Sequence, residues 1–230
     1  INPVREFCDA AHEFGAAVFV DAVHYAPHAL IDLAAMDCDF LACSAYKFFG
    51  PHIGLLWGRR ATMEQLEPYK VRPAADRIPD RWMTGTQNHE CLAGVKAAVE
   101  YLASLGDGQG SLREQLRSAY TEIGEYERQL CAQLLSGLAA NPDIQVHGSA
   151  DPSQLENRVA TISITHRRHT SQDVAKHLAE RGVFVWNGNY YALHLTEALG
   201  LEPDGMVRLG LVHYNTSDEV DYLLECLSEL

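Results

Sequence analysis

The sequence predicts an α/β fold followed by a smaller α+β module, and three observations lead there. Continuous apolar runs at 17–20, 39–43 and 53–57 read as strands of a sheet covered on both faces. Helical patterns at 3–14 and 89–104 flank those runs. After Gly106-Asp107-Gly108 one long helical pattern is followed by alternating strands and helices. That glycine-rich step divides the chain into a first domain over 1–105 and a second over 106–230.

Each element has a local reason. Gly15 sits where the first helix needs a residue tolerant of the left-handed region. A short helix is expected over 61–68, and the stretch from Arg72-Pro73 to Pro79-Asp80 reads as a loop. Over 112–139, Leu116, Ile123, Leu130, Leu134, Leu135 and Leu138 mostly share one helical stripe. Strands are expected at 158–164, 183–186 and 206–211, with helices at 171–181 and 217–229. Thr170-Ser171-Gln172-Asp173 and Thr216-Ser217-Asp218-Glu219 carry the hydroxyl-then-acid spacing that opens a helix.

Bulk properties exclude several classes. At 230 residues, 47% hydrophobic and 21% charged, the chain is long enough and apolar enough to bury a sizeable core. A net charge of -13 argues against nucleic-acid binding and against an anionic membrane surface. No apolar run reaches the roughly 20 residues of a membrane span. Six scattered cysteines form no Cys-x-x-Cys pair, so free thiols in a reducing cytoplasm are expected. The chain begins with Ile1 and enters a helix almost at once, which reads as a piece of a longer protein.

Lys47 carries the chemistry. It lies in the apolar stretch Phe40-Leu41-Ala42-Cys43-Ser44-Ala45-Tyr46-Lys47-Phe48-Phe49-Gly50-Pro51. Burial there would disfavour its charged form, and a neutral amine attacks aldehydes to form imines. Asp21 ends the strand candidate 17–20, 26 residues earlier. A carboxylate for a protonated pyridine nitrogen and an amine for an aldehyde carbon together suit pyridoxal 5'-phosphate, PLP. Asp21, His24 and His28 also resemble metal ligands, but Pro27 interrupts the helix that would align the histidines. No metal site is expected. An aspartate at a strand end can also meet a ribose, but no glycine-rich turn precedes it.

Other residues admit two readings. Ser44 and Tyr46 can donate to a phosphate, or Ser44 can be a small turn residue. Thr84-Gly85-Thr86-Gln87-Asn88 precedes a helix and reads as an anion site or an ordinary cap. Arg208, inside a strand, needs an anion: a structural carboxylate or a substrate's. His166-Arg167-Arg168-His169 reads as a solvated turn.

In family order and over nearly the whole length, these segments resemble the class V aminotransferase family, most closely its cysteine desulfurase and selenocysteine lyase branch. They are Val20 to His28, Cys38 to Pro51, Gly85-Thr86-Gln87-Asn88, and Arg208 through Asn215-Thr216 to Asp221. The resemblance implies a fold-type I PLP enzyme. Residues 1–105 would be the C-terminal half of its large, mostly parallel PLP-binding domain, and 106–230 its small C-terminal domain. Lys47, Asp21 and His24 would be catalytic and would hold the cofactor with Ser44, Tyr46 and Thr86. Thr86 would reach the neighbouring subunit's phosphate, which implies a homodimer. Arg208 would bind the substrate carboxylate, and Tyr191 would also face the amino-acid substrate. The main phosphate-binding turn and the aromatic ring stacked on the cofactor would precede Ile1.

Three departures qualify that picture. His24 stands where the desulfurases carry glutamine, and Tyr46 where the family usually has histidine. The loop Val185 to Ala192 has Trp186 in place of an arginine and Tyr191 near the position of the sulfur-accepting cysteine. The expected function is therefore a PLP-dependent, desulfurase-like enzyme without the persulfide cysteine. A transaminase or epimerase of the same family is the nearest alternative, and a non-catalytic interaction protein the alternative of another class.

Overall fold

The computed structural model describes residues 1–83 and 85–230, which form two compact units. One comprises Asn2–Glu122 and the other Ile123–Leu230 with Ile1.

The first unit opens with α1 (Val4–Glu13), closed by Gly15 at φ +69°. β1 (Phe19–Asp21) follows, then α2 (Leu33–Met36), capped by Asp32, whose side chain accepts from the Ala34 and Ala35 amides. β2 (Phe40–Ser44) pairs in parallel with β1, and β3 (Gly54–Gly58) pairs antiparallel with β2, in the order β1-β2-β3. α3 (Arg60–Gln65) and α4 (His89–Ala103) complete the expected elements. The strands are apolar on both faces, but among the described residues the buried cluster lies on one of them. Cys8, Ala22, Cys38 and Leu41 are buried with Val4, Val18, Tyr25 and Trp57 packed around them. Phe19 and Leu56 remain 59% and 66% exposed. An apolar run does not by itself say what covers it.

Buried Asp39 ties this unit together. Its Oδ2 accepts from the Val18 amide at 2.9 Å and lies 2.9 Å from His12 Nε2, and its Oδ1 accepts from Thr62 Oγ1 at 3.0 Å. The entry to β1, helix α1 and helix α3 thus meet on one carboxylate at the mouth of β2. Burial pushes its pKa up, but hydrogen bonds from Val18, His12 and Thr62 outweigh that, so the carboxyl stays below its ordinary value.

α5 (Leu112–Ala140) runs from the first unit into the second. The second unit is an antiparallel sheet in the order β4-β5-β7-β6, formed by β4 (Ile144–His147), β5 (Thr161–His166), β6 (Trp186–Gly188) and β7 (Met206–Gly210). Ile162 and Ile164 of β5 and Val207 and Leu209 of β7 are buried with Leu130, Leu134 and Leu138 of α5. α6 (Ser171–Ala179) and α8 (Ser217–Ser228) pack on the same core through Val174, Leu178, Val220 and Leu223. Both open on capping boxes, Thr170 with Asp173 and Thr216 with Glu219, as their sequences predict.

The differences from expectation are local. The strand expected at 158–164 occupies 161–166, and that at 183–186 is displaced to 186–188. Gly182 at φ +78° and the Val183 amide bonded back to Leu178 extend the α6 turn by several residues before a strand can start. α2, β4 and α7 (Leu193–Ala198) have no counterpart in the sequence reading, since four to six residues are too short for a periodic signal.

Replacing Asp39 with asparagine is expected to cost about 2 kcal/mol at neutral pH, measured by urea unfolding. Because the folded pKa is depressed, the charge-dependent stabilisation exists above the unfolded carboxylate pKa near ~3.9 and is lost as pH falls through the folded value. The gap between wild type and Asp39→Asn should therefore narrow below about pH 4; a constant gap across that range would show that the charge is not what stabilises.

Candidate active site

Parallel pairing places the ends of β1 and β2 side by side. Asp21 is aligned with Ala42, two residues before Ser44, so the exposed Asp21 and the half-buried Ser44 share the C-terminal edge of the pair. Ligands of open α/β sheets bind at that edge. Asp21 Oδ1 accepts from the Val23 amide at 2.9 Å, which bends the chain into the turn carrying His24. The Tyr120 hydroxyl donates to the Ala26 carbonyl at 2.7 Å and secures that turn. His24 is exposed, and its ring meets the buried His28 ring edge-on at 5.5 Å.

Beyond Ser44 the chain makes a 3-10 helix, Ala45–Phe48. With three residues per turn, positions i and i+3 share a side. Ala45 and Phe48 point inward and are buried, which turns Tyr46 and Lys47 outward. Lys47 is thus exposed, not buried as its apolar neighbours suggest; the helical period sends those neighbours inward and the lysine out. The turn is tight: the Ala45 amide bonds to the Ile53 carbonyl at 2.9 Å and the Gly50 amide to the Ala45 carbonyl at 2.8 Å. A Cβ on Gly50 would lie 3.1 Å from Ala45. Lys47 Nζ sits 5.8 Å from the Tyr46 ring centroid, and that ring stacks at a tilt on His52 at 4.7 Å.

Thr86 is exposed in the segment before α4, and Asn88 caps that helix by accepting from the Cys91 amide at 3.0 Å. Thr84 lies outside the described residues. Among the described residues, no group of three or more His, Cys, Asp or Glu is disposed to hold a metal ion.

The second unit carries its own polar row. On the sheet face opposite the apolar core, register aligns His147 with Ser163, Ser163 with Arg208, and Arg208 with Trp186. Arg208 has no carboxylate within ion-pair distance among the described residues; instead its guanidinium carbon lies 5.0 Å from the Tyr190 ring centroid. Trp186 is 58% exposed and Tyr191 99%. Ser163 and Tyr190 were not singled out by the sequence as partners of Arg208. The alternation Thr-Ile-Ser-Ile-Thr puts Ser163 on the polar face, but only the strand register brings it beside Arg208.

The loop bearing Tyr190 is held in an uncommon shape. Tyr190 and Tyr191 adopt φ +53° and +65°, a region costing non-glycine residues roughly 1–2 kcal/mol each. The Asn189 side chain accepts from the Tyr191 amide at 3.1 Å, and its carbonyl accepts from the Ala192 amide at 2.7 Å. Behind the loop, Gly205 at φ +69° packs so closely that a Cβ would lie 2.2 Å from the Gly188 carbonyl carbon.

The family model for class-V aminotransferases matches residues 1–223. An aminotransferase-like protein, FGM3, from Gibberella zeae is 33% identical over 99% of this chain and 55% of its own length. A cysteine desulfurase of Escherichia coli is 30% identical over 100% of this chain and 54% of its own length. Among solved structures, the apo cysteine desulfurase of Thermococcus onnurineus NA1 superposes with a TM-score of 0.83 at 25% identity, over 99% of this chain and 55% of that one. The Escherichia coli cysteine desulfurase CsdA shares the fold, with a TM-score of 0.80 at 24% identity over 99% and 54%. The chain spans about half the length of the relatives it matches.

Gly205→Ala is expected to destabilise by about 3 kcal/mol, through overpacking against Gly188 and strain at positive φ. Denaturant unfolding that shows a loss under about 0.5 kcal/mol would mean that the close approach relaxes freely.

Proposed function

The chain belongs to the class-V aminotransferase family, and on that premise we propose that it is the lysine-bearing part of a PLP-dependent enzyme acting on an amino acid. The reaction is desulfurase-like in its handling of the substrate but proceeds without a persulfide cysteine. The observation that carries this reading is the edge shared by Asp21 and Ser44, with Lys47 turned outward on the short helix that follows. The donor set fits the cofactor: a strand-end carboxylate for the ring nitrogen, an amine for the aldehyde, and hydroxyls for a phosphate.

When bound, PLP supplies an electron sink for a bond broken at the substrate Cα. Lys47 would hold the aldehyde carbon and then move the Cα proton. Asp21 would keep the ring nitrogen protonated, and His24 would bond the phenolic oxygen. Ser44 and Tyr46 would bind the phosphate, and Thr86 would reach the phosphate of a second subunit, making the protein a homodimer. Arg208 would take the substrate carboxylate, with Tyr191 at the substrate's approach. A large PLP-binding domain containing 1–105 and a small domain over 106–230 would divide these roles, in a reducing cytoplasm.

Sulfur transfer is where this chain parts from the desulfurases. Their reaction needs a mobile thiolate at the substrate sulfur. The loop from Val185 to Ala192 offers Trp186, Tyr190 and Tyr191 and no thiol. Cys43, the cysteine nearest Lys47 in sequence, lies in β2, where burial pushes its thiol pKa up and makes it a poor nucleophile. Elimination, transamination or epimerisation at Cα remain within reach of Lys47.

Two measurements test this reading. Borohydride reduction of the PLP-treated full-length protein, followed by peptide mass mapping, should place one cofactor mass on the Lys47 peptide, and Lys47→Ala should remove both the mass and turnover; this chain by itself should be inactive. Cofactor mass elsewhere, or unimpaired turnover in Lys47→Ala, would show that Lys47 is not the catalytic base, whereas no cofactor mass and no turnover in either protein would favour a non-catalytic interaction protein. Incubation with cysteine should trap no stoichiometric persulfide; a persulfide formed at the rate of alanine release would restore the desulfurase reading.

A further inference from the structure

Arg208 is half-buried in the middle of a sheet, yet it meets no carboxylate among the described residues. A guanidinium in that setting needs something to hold it, and the usual holder is an acid. Here an aromatic ring takes that place. The Tyr190 ring lies 5.0 Å from the guanidinium carbon, within the range of a cation–π contact. Its phenol oxygen is buried and makes no hydrogen bond, so a ligand has no access to it in this arrangement. Burial pushes the phenol pKa far up, and the nearby Arg208 charge offsets it only in part. Tyr190 therefore stays neutral beside the cation.

We propose that Tyr190 is the positioning residue of Arg208: its ring fixes the guanidinium in place without neutralising it, which keeps the charge and the planar donors available for a ligand carboxylate. An aspartate or glutamate here would hold Arg208 equally well but would compete with that carboxylate. The loop is built for this placement. Tyr190 and Tyr191 both stand at positive φ, Asn189 bridges to the Tyr191 and Ala192 amides, and Gly188 is pinned against Gly205. Such a conformation in bulky residues persists only where the surroundings over-determine it. Ser163 and Trp186 flank Arg208 on the adjacent strands. The ligand class is a monocarboxylate, and this inference rests on the reading of Arg208 as a carboxylate site.

The test needs no cofactor. The protein carrying 15N-labelled arginine is titrated with sodium propionate and, separately, with neutral propionamide, following the Arg208 Nε–Hε resonance. Wild type and Tyr190→Phe, which keeps the ring, should bind propionate within about twofold of each other, whereas Tyr190→Leu should weaken it roughly fivefold. Propionamide should bind detectably to none of them. Equal propionate affinity in Tyr190→Leu and wild type would overturn the role of Tyr190, as would a Tyr190→Phe variant as weak as Tyr190→Leu. Arg208→Ala, compared with wild type by the backbone amide shifts of β7 in uniformly 15N-labelled protein, separates the two ideas: if it loses propionate, the carboxylate site stands whatever Tyr190 does, and if it binds propionate as wild type does, the site itself is wrong and the inference falls with it.

Discussion

Everything in the first unit depends on the alignment of β1 with β2, and that alignment hangs on Asp39. A parallel strand pair has no tight turn to set its register. The helical and looped connection between β1 and β2 leaves the slip between them undetermined by the chain path alone. Asp39 resolves it by accepting from the Val18 amide while its own amide and that of Phe40 donate to the Val18 carbonyl, each at 3.0 Å. His12 and Thr62 then fasten two helices to the same carboxylate. A shift of one residue would turn every side chain of β1 to the opposite face. Asp21 would then leave the edge it shares with Ser44.

The second unit meets a similar need by packing. Its sheet is antiparallel, with Ile162, Ile164, Val207 and Leu209 against the leucines of α5 on one face, so the polar partners Ser163 and Arg208 must occupy the other. Here register is specified by the apolar face itself, since a slip would bury Arg208 and expose Val207. One unit uses a buried charge and the other a hydrophobic face, but both convert a strand register into the location of a chemically useful side chain.

How legible this was in the sequence varies with the length of the signal. The long stripe of α5, the helix caps at Thr170 and Thr216 and the apolar strand runs were all readable, because each repeats or carries a fixed spacing. Membership of the class-V family was readable from Asp21, Lys47 and their surroundings, since those segments occur in family order. The side on which Lys47 emerges was not, because the 3-10 helix that sets it is four residues long, too short to show a period between the two strand runs. Tyr190 was visible only as bulk in a loop lacking cysteine. Its place over Arg208 depends on left-handed backbone at an aromatic residue, which propensity argues against. Asp39 gave a fainter sign, a charged residue opening an apolar strand.

Electrostatics gives the two cations a common meaning. Acidic residues outnumber basic ones by 31 to 18 in this chain, so a carboxylate is easily found for any arginine. Arg59, Arg113, Arg168 and Arg181 all face one. Arg208 does not, although it is half-buried and would gain more from pairing than an exposed arginine would. The exposure of Lys47 likewise rests on local backbone geometry, the 3-10 turn that buries its neighbours Ala45 and Phe48. Against a strongly negative background, such positions are the ones that can attract an anionic ligand at short range while the rest of the surface repels it. That contrast is what the proposed chemistry requires, since both a phosphate-bearing cofactor and an amino-acid carboxylate must be drawn to an otherwise acidic protein.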